Sequence, residues 1–351
     1  DRGSAYHFKG GQNSISEIGN KLDVLAIAKG TLEIEKENLI LSLSLVNAKD
    51  EHVFWTQEWN RNFKDIFTLR NEVCDKLAEV IRENYWHFEL ESLPAENQQP
   101  NIDAYKLYLK GNHAYANWSD KSVYEAIALY EASIALDPNL AESFVALANC
   151  YIFLSGTGFI KSEEGLANVG ININKALQLN YESADLHMML ANNAFWKRWN
   201  IKDALFEIDR TLQLNPSYGD AYALKSLILV VLNQYEAARE QIAITLKLDP
   251  LSANKLFIAG WGEYFMGNNG QAISYCDQAL DLNPSMDPAR VVKLHSMILL
   301  GQAQQVLDLI SDRIQCPLDD AAYHGLRALS YLKLNETEKA QSYIAKLEAA
   351  Y

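Results

Sequence analysis

Apolar residues at helical spacing alternate with short polar breaks along most of the chain. In residues 221–250, apolar side chains recur at helical spacing as far as Leu229, and a polar break at 233–235 follows. A second helical pattern comes next, and Pro250 ends it, because proline cannot continue a helix. This stretch predicts two short helices joined by a tight turn.

The junction that closes this stretch returns at a nearly fixed interval. The steps between successive junctions are 43, 35, 34, 34 and 33 residues, counted between Pro138, Tyr181, Pro216, Pro250, Pro284 and Pro317. Such a period is typical of a solenoid, in which each helix pair buries its apolar face only against neighbouring pairs. The pattern therefore predicts a series of stacked helix pairs.

This repeat resembles the tetratricopeptide repeat. It does so through the terminal proline and through small residues, such as Gly260 and Ala272, where paired helices approach closely. Tyr181 in place of proline and Val306 in place of alanine depart from the pattern. The resemblance covers residues 102–351 and implies a mainly α fold, an α-α superhelix of about seven helix pairs.

The first hundred residues follow a different pattern. Ser14 and Glu17 predict a capping box ahead of a helix, and helical spacing returns from Phe63. Alternating apolar residues between these helices predict a half-buried sheet. Its expected strands are Val24–Glu35, Leu39–Val46 and His52–Trp59.

The alternation predicts which residues share a face on two of these strands. Leu39, Leu41, Leu43 and Leu45 are expected to face the helices. On the partner strand, the expected face consists of Val53, Trp55 and Trp59. The first hundred residues therefore predict a small α/β module ahead of the repeats.

The order of elements in the module also resembles a known family. The residues that carry the resemblance are Ile18-Gly19, Leu45-Val46-Asn47-Ala48, Phe54-Trp55 and Trp59-Asn60-Arg61. They resemble the TolB-amino-terminal-like module, which in bacterial signalling proteins lies just before tetratricopeptide repeats. Such proteins often begin with a DNA-binding or adenylate-cyclase output domain, sometimes followed by a membrane span.

The resemblance covers about Ser4–Ile81 and lacks the first strand and helix of the family module, which predicts that the chain starts within a domain. The expected organisation is a small α/β module at 1–92, a polar linker at 93–101 and a repeat domain at 102–351.

Composition narrows the class of protein. The chain has 31 basic and 45 acidic residues, a net charge of −14, which disfavours direct nucleic-acid binding and adhesion to anionic membranes. No apolar run approaches the roughly 18 residues of a membrane span, so no membrane insertion is expected within this segment. Four cysteines without a CxxC pair fit a reducing compartment. The expected location is the cytoplasm, or the periplasm if a membrane span lies upstream.

Motifs for catalysis or metal binding are missing from the sequence. No two of the seven histidines lie within five residues of one another, and neither a GxSxG motif nor a phosphate-binding loop of Walker type is found. The sequence therefore predicts a segment that is not an enzyme and has no metal, cofactor or catalytic residues.

By analogy with the repeat family, the first helices of the pairs are expected to line a concave groove that holds an extended peptide or a helix. The expected groove residues are Asn149, Met188, Asn192, Phe195, Leu227, Phe257, Trp261, Tyr264 and His295. The alternative for Met188, Phe195 and Trp261 is packing between repeats. Trp196 and Trp199 lie at a helix end, where they either pack against the next unit or are exposed.

Some tetratricopeptide domains hold a peptide carboxylate with a clamp of lysine and asparagine. Asn112 and Asn149 fit such a clamp, but Tyr108 and Met188 stand where lysine is expected. Binding of chaperone carboxyl-terminal tails is therefore not expected.

The sequence favours a non-catalytic protein- or peptide-binding region of a bacterial regulator, with its partner in the groove. The alternative is a small-ligand sensor, with a pocket between the α/β module and the first repeats, that controls an attached DNA-binding or cyclase output domain. A homodimer is a further option that the sequence leaves open.

Overall fold

A computed structural model describes residues 4, 7–8, 13–35, 37–84, 101–115, 120–156, 159–179, 181–311 and 320–350. These residues form two compact units, one within 12–190 and one within 191–351 together with 1–11. The predicted linker at 93–101 lies outside the described residues, apart from Asn101. The predicted domain boundaries at 92 and 102 stay a prediction.

The first unit begins with the predicted capping box. Helix α1 (Ile15–Leu22) starts where Glu17 N donates to Ser14 Oγ at 3.1 Å and Ser14 N donates to the Glu17 carboxylate at 3.0 Å. These bonds satisfy amide groups that the first helical turn leaves without partners. Three antiparallel strands follow in the order β1-β2-β3: β1 (Ala26–Glu35), β2 (Asn38–Asn47) and β3 (Val53–Asn62).

The sheet packs one face against helix α2 (Ile66–Asn84), which a single 3₁₀ turn at Phe63–Asp65 introduces. The core beneath it consists of Leu39, Trp59, Phe63 and Leu69, with Leu41, Leu43 and Trp55 partly buried against them. The antiparallel pairing of β2 with β3 and the inward positions of Leu39, Leu41 and Leu43 are thus confirmed, and Leu45 is buried.

Val53 departs from the predicted face. The register of β2 and β3 shifts between Leu45 and Val46, so Val53 pairs with Val46 beyond the shift. Trp55 and Trp59 contact the core, whereas Val53 is exposed. The alternation inferred from sequence ends at this irregularity, because an added residue in one strand changes which side chains face the core.

Seven helix pairs follow in the described part of the chain, as the repeat pattern predicts. Their helices are α3 (Ile102–Tyr115), α4 (Asp120–Leu136), α5 (Ala141–Gly156), α6 (Ser162–Gln178), α7 (Ala184–Asn192), α8 (Ile201–Leu214), α9 (Gly219–Val231), α10 (Tyr235–Leu248), α11 (Ala253–Phe265), α12 (Asn269–Leu282), α13 (Asp287–Leu299), α14 (Ala303–Ser311), α15 (Asp320–Lys333) and α16 (Thr337–Ala350). The fold class is mainly α, with repeats of tetratricopeptide type after a small α/β module.

Small residues set the distance between paired helices. A Cβ atom on Gly260 of α11 would lie 2.8 Å from Cys276 Sγ and 3.1 Å from Ala272 O, both on α12. A Cβ atom on Gly111 of α3 would lie 2.4 Å from the ring of Tyr130 on α4. Larger side chains at these positions would force the helices apart.

Lysine side chains connect helices of the second unit. The ion pairs are Lys225 with Asp209 at 2.9 Å, Lys293 with Asp277 at 2.5 Å, and Lys255 with Asp220. Lys255 is buried, and loss of hydration lowers its pKa to about 8 despite the contact with Asp220. The contact between α9 and α11 therefore includes the buried ammonium group of Lys255, whose loss of hydration disfavours folding.

The junction between α10 and α11 receives a contact from the start of the chain. Ser4 is buried, and its amide donates to Asp249 Oδ1 at 2.9 Å, while Leu251 N donates to Ser4 Oγ at 3.1 Å. Asp249 lies in the Asp-Pro junction after α10, and its carboxylate binds a residue that is distant in sequence.

Among the described residues, no helix combines the length and the apolarity that crossing a bilayer requires. The described cysteines Cys74, Cys150 and Cys276 form no disulfide, and burial raises the pKa of Cys150 and Cys276 to about 12. Both thiols therefore act as small packing groups.

Candidate interaction surface

The nine expected groove residues separate into buried and accessible ones. Met188, Phe195 and Leu227 are buried, and Phe195 is only 1% exposed. They lie in the packing between helices, which is the alternative that the sequence left open for Met188 and Phe195. The others are partly exposed: Asn149, Asn192, Phe257, Trp261, Tyr264 and His295. Asn149 and Met188 belong to the first unit, and the remaining seven belong to the second.

Aromatic side chains in the second unit form a continuous stack. The rings of Phe257 and Trp261, one helical turn apart on α11, are 5.8 Å apart and nearly parallel at 11°. Trp261 in turn stacks on Trp196 at 6.0 Å and 7°, and contacts Phe265 at 5.5 Å. Trp196 follows α7, so the stack joins two helices that are separated in sequence by α8, α9 and α10. We call Trp196, Trp199, Phe257, Trp261, Tyr264 and Phe265 the aromatic surface.

Phe195 supports this surface from below. Its buried ring stacks on Trp199 at 5.2 Å and 23°, and meets Trp196 edge-on at 4.6 Å. Trp196 is 51% exposed and Trp199 is 61% exposed. A pair of exposed tryptophans held by a buried ring is a rigid apolar surface, because its side chains lose little freedom when a partner binds.

The backbone beneath these tryptophans is irregular. Residues Asn193–Lys197 form a π-helical turn, in which Arg198 N donates to Asn193 O, five residues back, at 3.3 Å. Trp199 has φ of 51°, a left-handed conformation that is unusual for a bulky residue. Both features are over-represented at functional sites.

One extra residue accounts for the π turn. Helix α8 starts 17 positions after α7 starts, at Ile201 against Ala184. In each of the next three pairs this interval is 16 positions, between the starts of α9 and α10, α11 and α12, and α13 and α14. A π turn is how a helix accommodates a single inserted residue. The insertion also explains why the junction step from Tyr181 to Pro216 is 35 residues where the next is 34.

Exposed apolar residues also recur at the ends of the first helices in the second unit. Val231, Phe265 and Leu299 are the last residues of α9, α11 and α13, and Leu332 is next to last in α15. All four are among the exposed large hydrophobic side chains. Sequence analysis assigned the groove to positions further inside each helix and missed this series. A large apolar residue directly before each polar break, at the repeat interval, was the signal for it.

Tyr264 and His295 extend the surface toward the following pair. Their rings meet edge-on at 6.2 Å, and burial lowers the pKa of His295, which favours the neutral imidazole. At the other end, between the two exposed tryptophans, Lys197 and Arg198 are both exposed, and Arg198 lies 3.5 Å from Asp203. The surface is therefore apolar with a basic edge.

The residues at the position of the lysine and asparagine clamp of some tetratricopeptide domains have other contacts in this chain. Tyr130 Oη donates to Asn112 Oδ1 at 2.7 Å, so this amide is engaged within its own helix pair. Desolvation raises the pKa of nearby Tyr108 to about 12, which keeps its phenol neutral. Neither group supplies the positive charge that a peptide carboxylate requires.

One cleft among the described residues is large enough for a small ligand. A cleft of about 450 Å³ lies between β3 and α2 and is lined by charged residues, including Arg61, Glu72 and Lys76. It belongs to the α/β module itself, rather than to a boundary between the module and the first repeats. Among the described residues, no three of the side chains that commonly bind metals are grouped as a metal site requires.

The likeness to known proteins is clearest in the fold. The fold is a tetratricopeptide-repeat fold. Human IFIT1, solved as a dimer with m7Gppp-AAAA, covers 79% of this chain with 63% of its own length, at a TM-score of 0.60 and 14% identity. YrrB, described as a tetratricopeptide protein with an unusual peptide-binding site, covers 54% of the chain with 92% of its own, at a TM-score of 0.35 and 24% identity.

The curated relatives that match by sequence include a transcriptional regulator and a putative adenylate cyclase. The transcriptional regulator HilA of Salmonella typhimurium is 22% identical over 241 residues, 68% of this chain and 42% of HilA. The putative adenylate cyclase 3 of Rhizobium meliloti is 22% identical over 204 residues, 56% of this chain and 34% of the cyclase. The chain thus spans less than half the length of these relatives. No protein-family model matches it.

Proposed function

We propose that this chain is a non-catalytic interaction region of a bacterial regulator, and that its aromatic surface binds a protein or peptide partner. The observation that carries the proposal is that the exposed, stacked tryptophans lie at the point where a helix contains one inserted residue. Trp196 and Trp199 remain accessible although Phe195 beside them is fully packed. Tryptophans in such positions are typical anchors of protein interfaces.

The partner that fits this surface is a segment with apolar anchor side chains. The series Val231, Phe265, Leu299 and Leu332 provides one exposed apolar residue for each successive helix pair. A segment running along the pairs would contact several of them at once, which is how solenoids bind extended ligands. Asn192, Tyr264 and His295 would supply polar contacts beside it, and Asn149 is a further candidate on the first unit.

The regulator assignment draws on the relatives. One is named a transcriptional regulator and the other a putative adenylate cyclase, and both are more than twice as long as the matched region. Their shared region would therefore be the sensing part of proteins with different output domains. We assign residues 1–92 to a module of TolB-amino-terminal type and 102–351 to the repeat domain. A cytoplasmic location, or a periplasmic one behind an upstream span, accompanies this assignment.

The proposal is tested with a peptide probe. Random linear peptides displayed on phage are selected on the immobilised chain, and an enriched peptide is labelled for fluorescence anisotropy. Trp196→Ala and Trp261→Ala should each weaken its binding by roughly 30-fold, the equivalent of about 2 kcal/mol at an interface hot spot. Glu240→Lys, an exposed change on α10, is the control and should bind as the parent chain does.

Two results would count against the proposal. One is a selection that enriches no peptide, and the other is an enriched peptide that binds both tryptophan variants normally. A labelled single-stranded oligonucleotide serves as the nucleic-acid probe. The net charge of −14 predicts no binding of it at physiological salt.

A further inference from the structure

Strand β1 is exposed on both of its faces. Every residue from Ala28 to Ile34 is exposed, and Leu32 and Ile34 are 57% and 58% exposed. The other edge of the sheet, β3, differs in that α2 covers its inward Trp55 and Trp59. The outer edge of β1 carries backbone groups that no strand of the described sheet bonds. A long apolar edge of this kind is a template for pairing with another strand.

The exposed apolar residues of β1 lie on the same face of the sheet as the core. Leu32 is opposite Leu41 and Ile34 is opposite Leu39, and these two leucines of β2 contact the core under α2. Strand β1 also has no proline and no shift of register against β2, two features that commonly block an edge. It carries charged Lys29 and Glu33, so among the described residues its outer edge is open to a strand with matching charges.

The sequence of β1 is complementary to itself when it is reversed about Thr31. Two antiparallel copies aligned at Thr31 place Lys29 of one copy opposite Glu33 of the other, twice. The same alignment places Gly30 opposite Leu32 and Ala28 opposite Ile34, so that each large residue meets a small one. Opposite charges and matched sizes at facing positions are what stabilise antiparallel pairs.

We propose that β1 is the dimer interface of this protein, and that it pairs antiparallel with β1 of a second copy about a two-fold axis at Thr31. The two sheets then form one sheet of six strands. Each contact occurs twice, as in any two-fold dimer. The interface lies in the first unit and is independent of partner binding at the aromatic surface, so either proposal can fail without the other.

Glycine at position 30 fits this arrangement. A Cβ atom there would lie 2.4 Å from Leu43 Cδ2 and 2.4 Å from Ser42 O on β2. Leu43 therefore lies over Gly30, so Leu32 of the second copy would pack against Leu43 at this position.

Shifts of two residues change the charge pairing in different ways. In one direction, Lys29 faces Thr31 and Glu33 faces Ile27, so no Lys–Glu pair remains. In the other direction, Glu33 faces Thr31 and Lys29 faces Glu35 of the second copy. Only alignment at Thr31 pairs Lys29 with Glu33 of the second copy at both symmetric positions.

Charge exchange provides the first test, by sedimentation velocity on the 351-residue chain. The parent chain should sediment as a dimer. Lys29→Glu and Glu33→Lys should each raise the dimer dissociation constant by about tenfold, because two attractive pairs become repulsive. The double variant Lys29→Glu/Glu33→Lys restores opposite charges and should return to the parent value. A monomeric parent, unaffected single variants, or a double variant that stays dissociated would each overturn the proposal.

Cysteine crosslinking provides the second test. Thr31→Cys should form a disulfide-linked dimer, because facing residues have Cα atoms about 4.5–5.5 Å apart. Lys29→Cys alone should not, because its two copies would lie about 13 Å apart along the strands. Mixing Lys29→Cys with Glu33→Cys should restore crosslinking. The parent chain, with its native cysteines, is the control, and crosslinking of Lys29→Cys alone would contradict the register. If the variants stay monomeric and form no crosslink, β1 is not a dimer interface. Its edge would then be the site for a strand from another protein or segment.

Discussion

The helix pairs α7–α8 and α11–α12 contribute to the same aromatic surface, but they are built differently. The pair α11–α12 has the regular repeat length and packs through Gly260 and Ala272. The pair α7–α8 has one residue more, a π turn at Asn193–Lys197 and a left-handed Trp199. The regular pair presents Trp261 along its helix, whereas the irregular pair presents Trp196 from its end. Regular repeats thus provide the scaffold, and a departure from the repeat provides the most exposed tryptophans of the aromatic surface.

The largest expected effect concerns the buried support of the irregular pair. Phe195→Ala removes a ring that is 1% exposed, and should lower the free energy of unfolding by about 3–5 kcal/mol. Urea denaturation followed by circular dichroism measures the change. Trp196→Ala, one residue away and half exposed, is the matched control and should cost much less. Equal losses in the two variants would show that the two neighbouring rings have the same role.

Removing the extra residue should convert the irregular pair into a regular one. Deletion of Asn193 restores the 16-residue interval between helix starts and should replace the π turn by an α-helical one. The tryptophans then rotate away from Trp261, and binding of the selected peptide should weaken by about 2 kcal/mol or more. Anisotropy measures the binding, and circular dichroism should show unchanged helicity. Undiminished binding would show that the inserted residue is not needed for peptide binding.

The regular pair carries a buried charge whose cost depends on pH. Lys255 has a pKa of about 8 in the folded chain against an ordinary 10.5, so between these values the unfolded chain binds more protons. Its unfavourable contribution is complete below pH 8 and is relieved as pH rises toward 10.5. Lys255→Met should therefore stabilise the chain by about 1–3 kcal/mol at pH 7, with a smaller gain at pH 9.5.

Thermal melting at the two pH values measures this gain. Burial raises the pKa of Tyr115 and Tyr130, so their ionisation on unfolding destabilises the folded chain at higher pH, and the comparison must use differences between variant and parent. Lys247→Met, at an exposed position on α10, is the control. A gain that is the same at both pH values would contradict the assigned protonation of Lys255.

The smallest expected effects are on the polar residues beside the surface. Asn192→Ala and Tyr264→Ala should each weaken peptide binding by about 1–2 kcal/mol, with helicity and melting almost unchanged. Arg239→Glu is unsuitable as a control here, because Arg239 lies 3.3 Å from the buried carboxylate of Glu263 and its reversal would disturb packing. Glu240→Lys is the better choice. Normal binding by both alanine variants would restrict the interface to the tryptophans.

The parts of the fold that follow from local rules could be predicted from sequence. Proline ends helices by its own geometry, so the junctions gave the seven helix pairs. The capping box at Ser14 and Glu17 likewise depends on residues only three positions apart. Alternating leucines indicated which face of β2 is buried.

Other features depend on contacts that a periodic pattern does not encode. Helical spacing placed Met188, Phe195 and Leu227 on the groove side, but neighbouring helices cover them. Val53 does not lie on its predicted face, because the register between β2 and β3 shifts beside it. The 35-residue step was visible in the sequence, but the π turn that absorbs it depends on how the end of α7 packs.

The single added residue in α7–α8 also has an evolutionary consequence. Helix pairs of equal length can be duplicated or deleted as whole units, because each contacts only its neighbours. The pairs α9–α10, α11–α12 and α13–α14 share one interval between helix starts, so gain or loss of one would lengthen or shorten the series of apolar helix ends by a single step. The pair α7–α8, with its longer interval and its π turn, has no equivalent among these three pairs. Duplication or loss of regular pairs would therefore change the length of the bound segment, while the exposed tryptophans of α7–α8 would be retained.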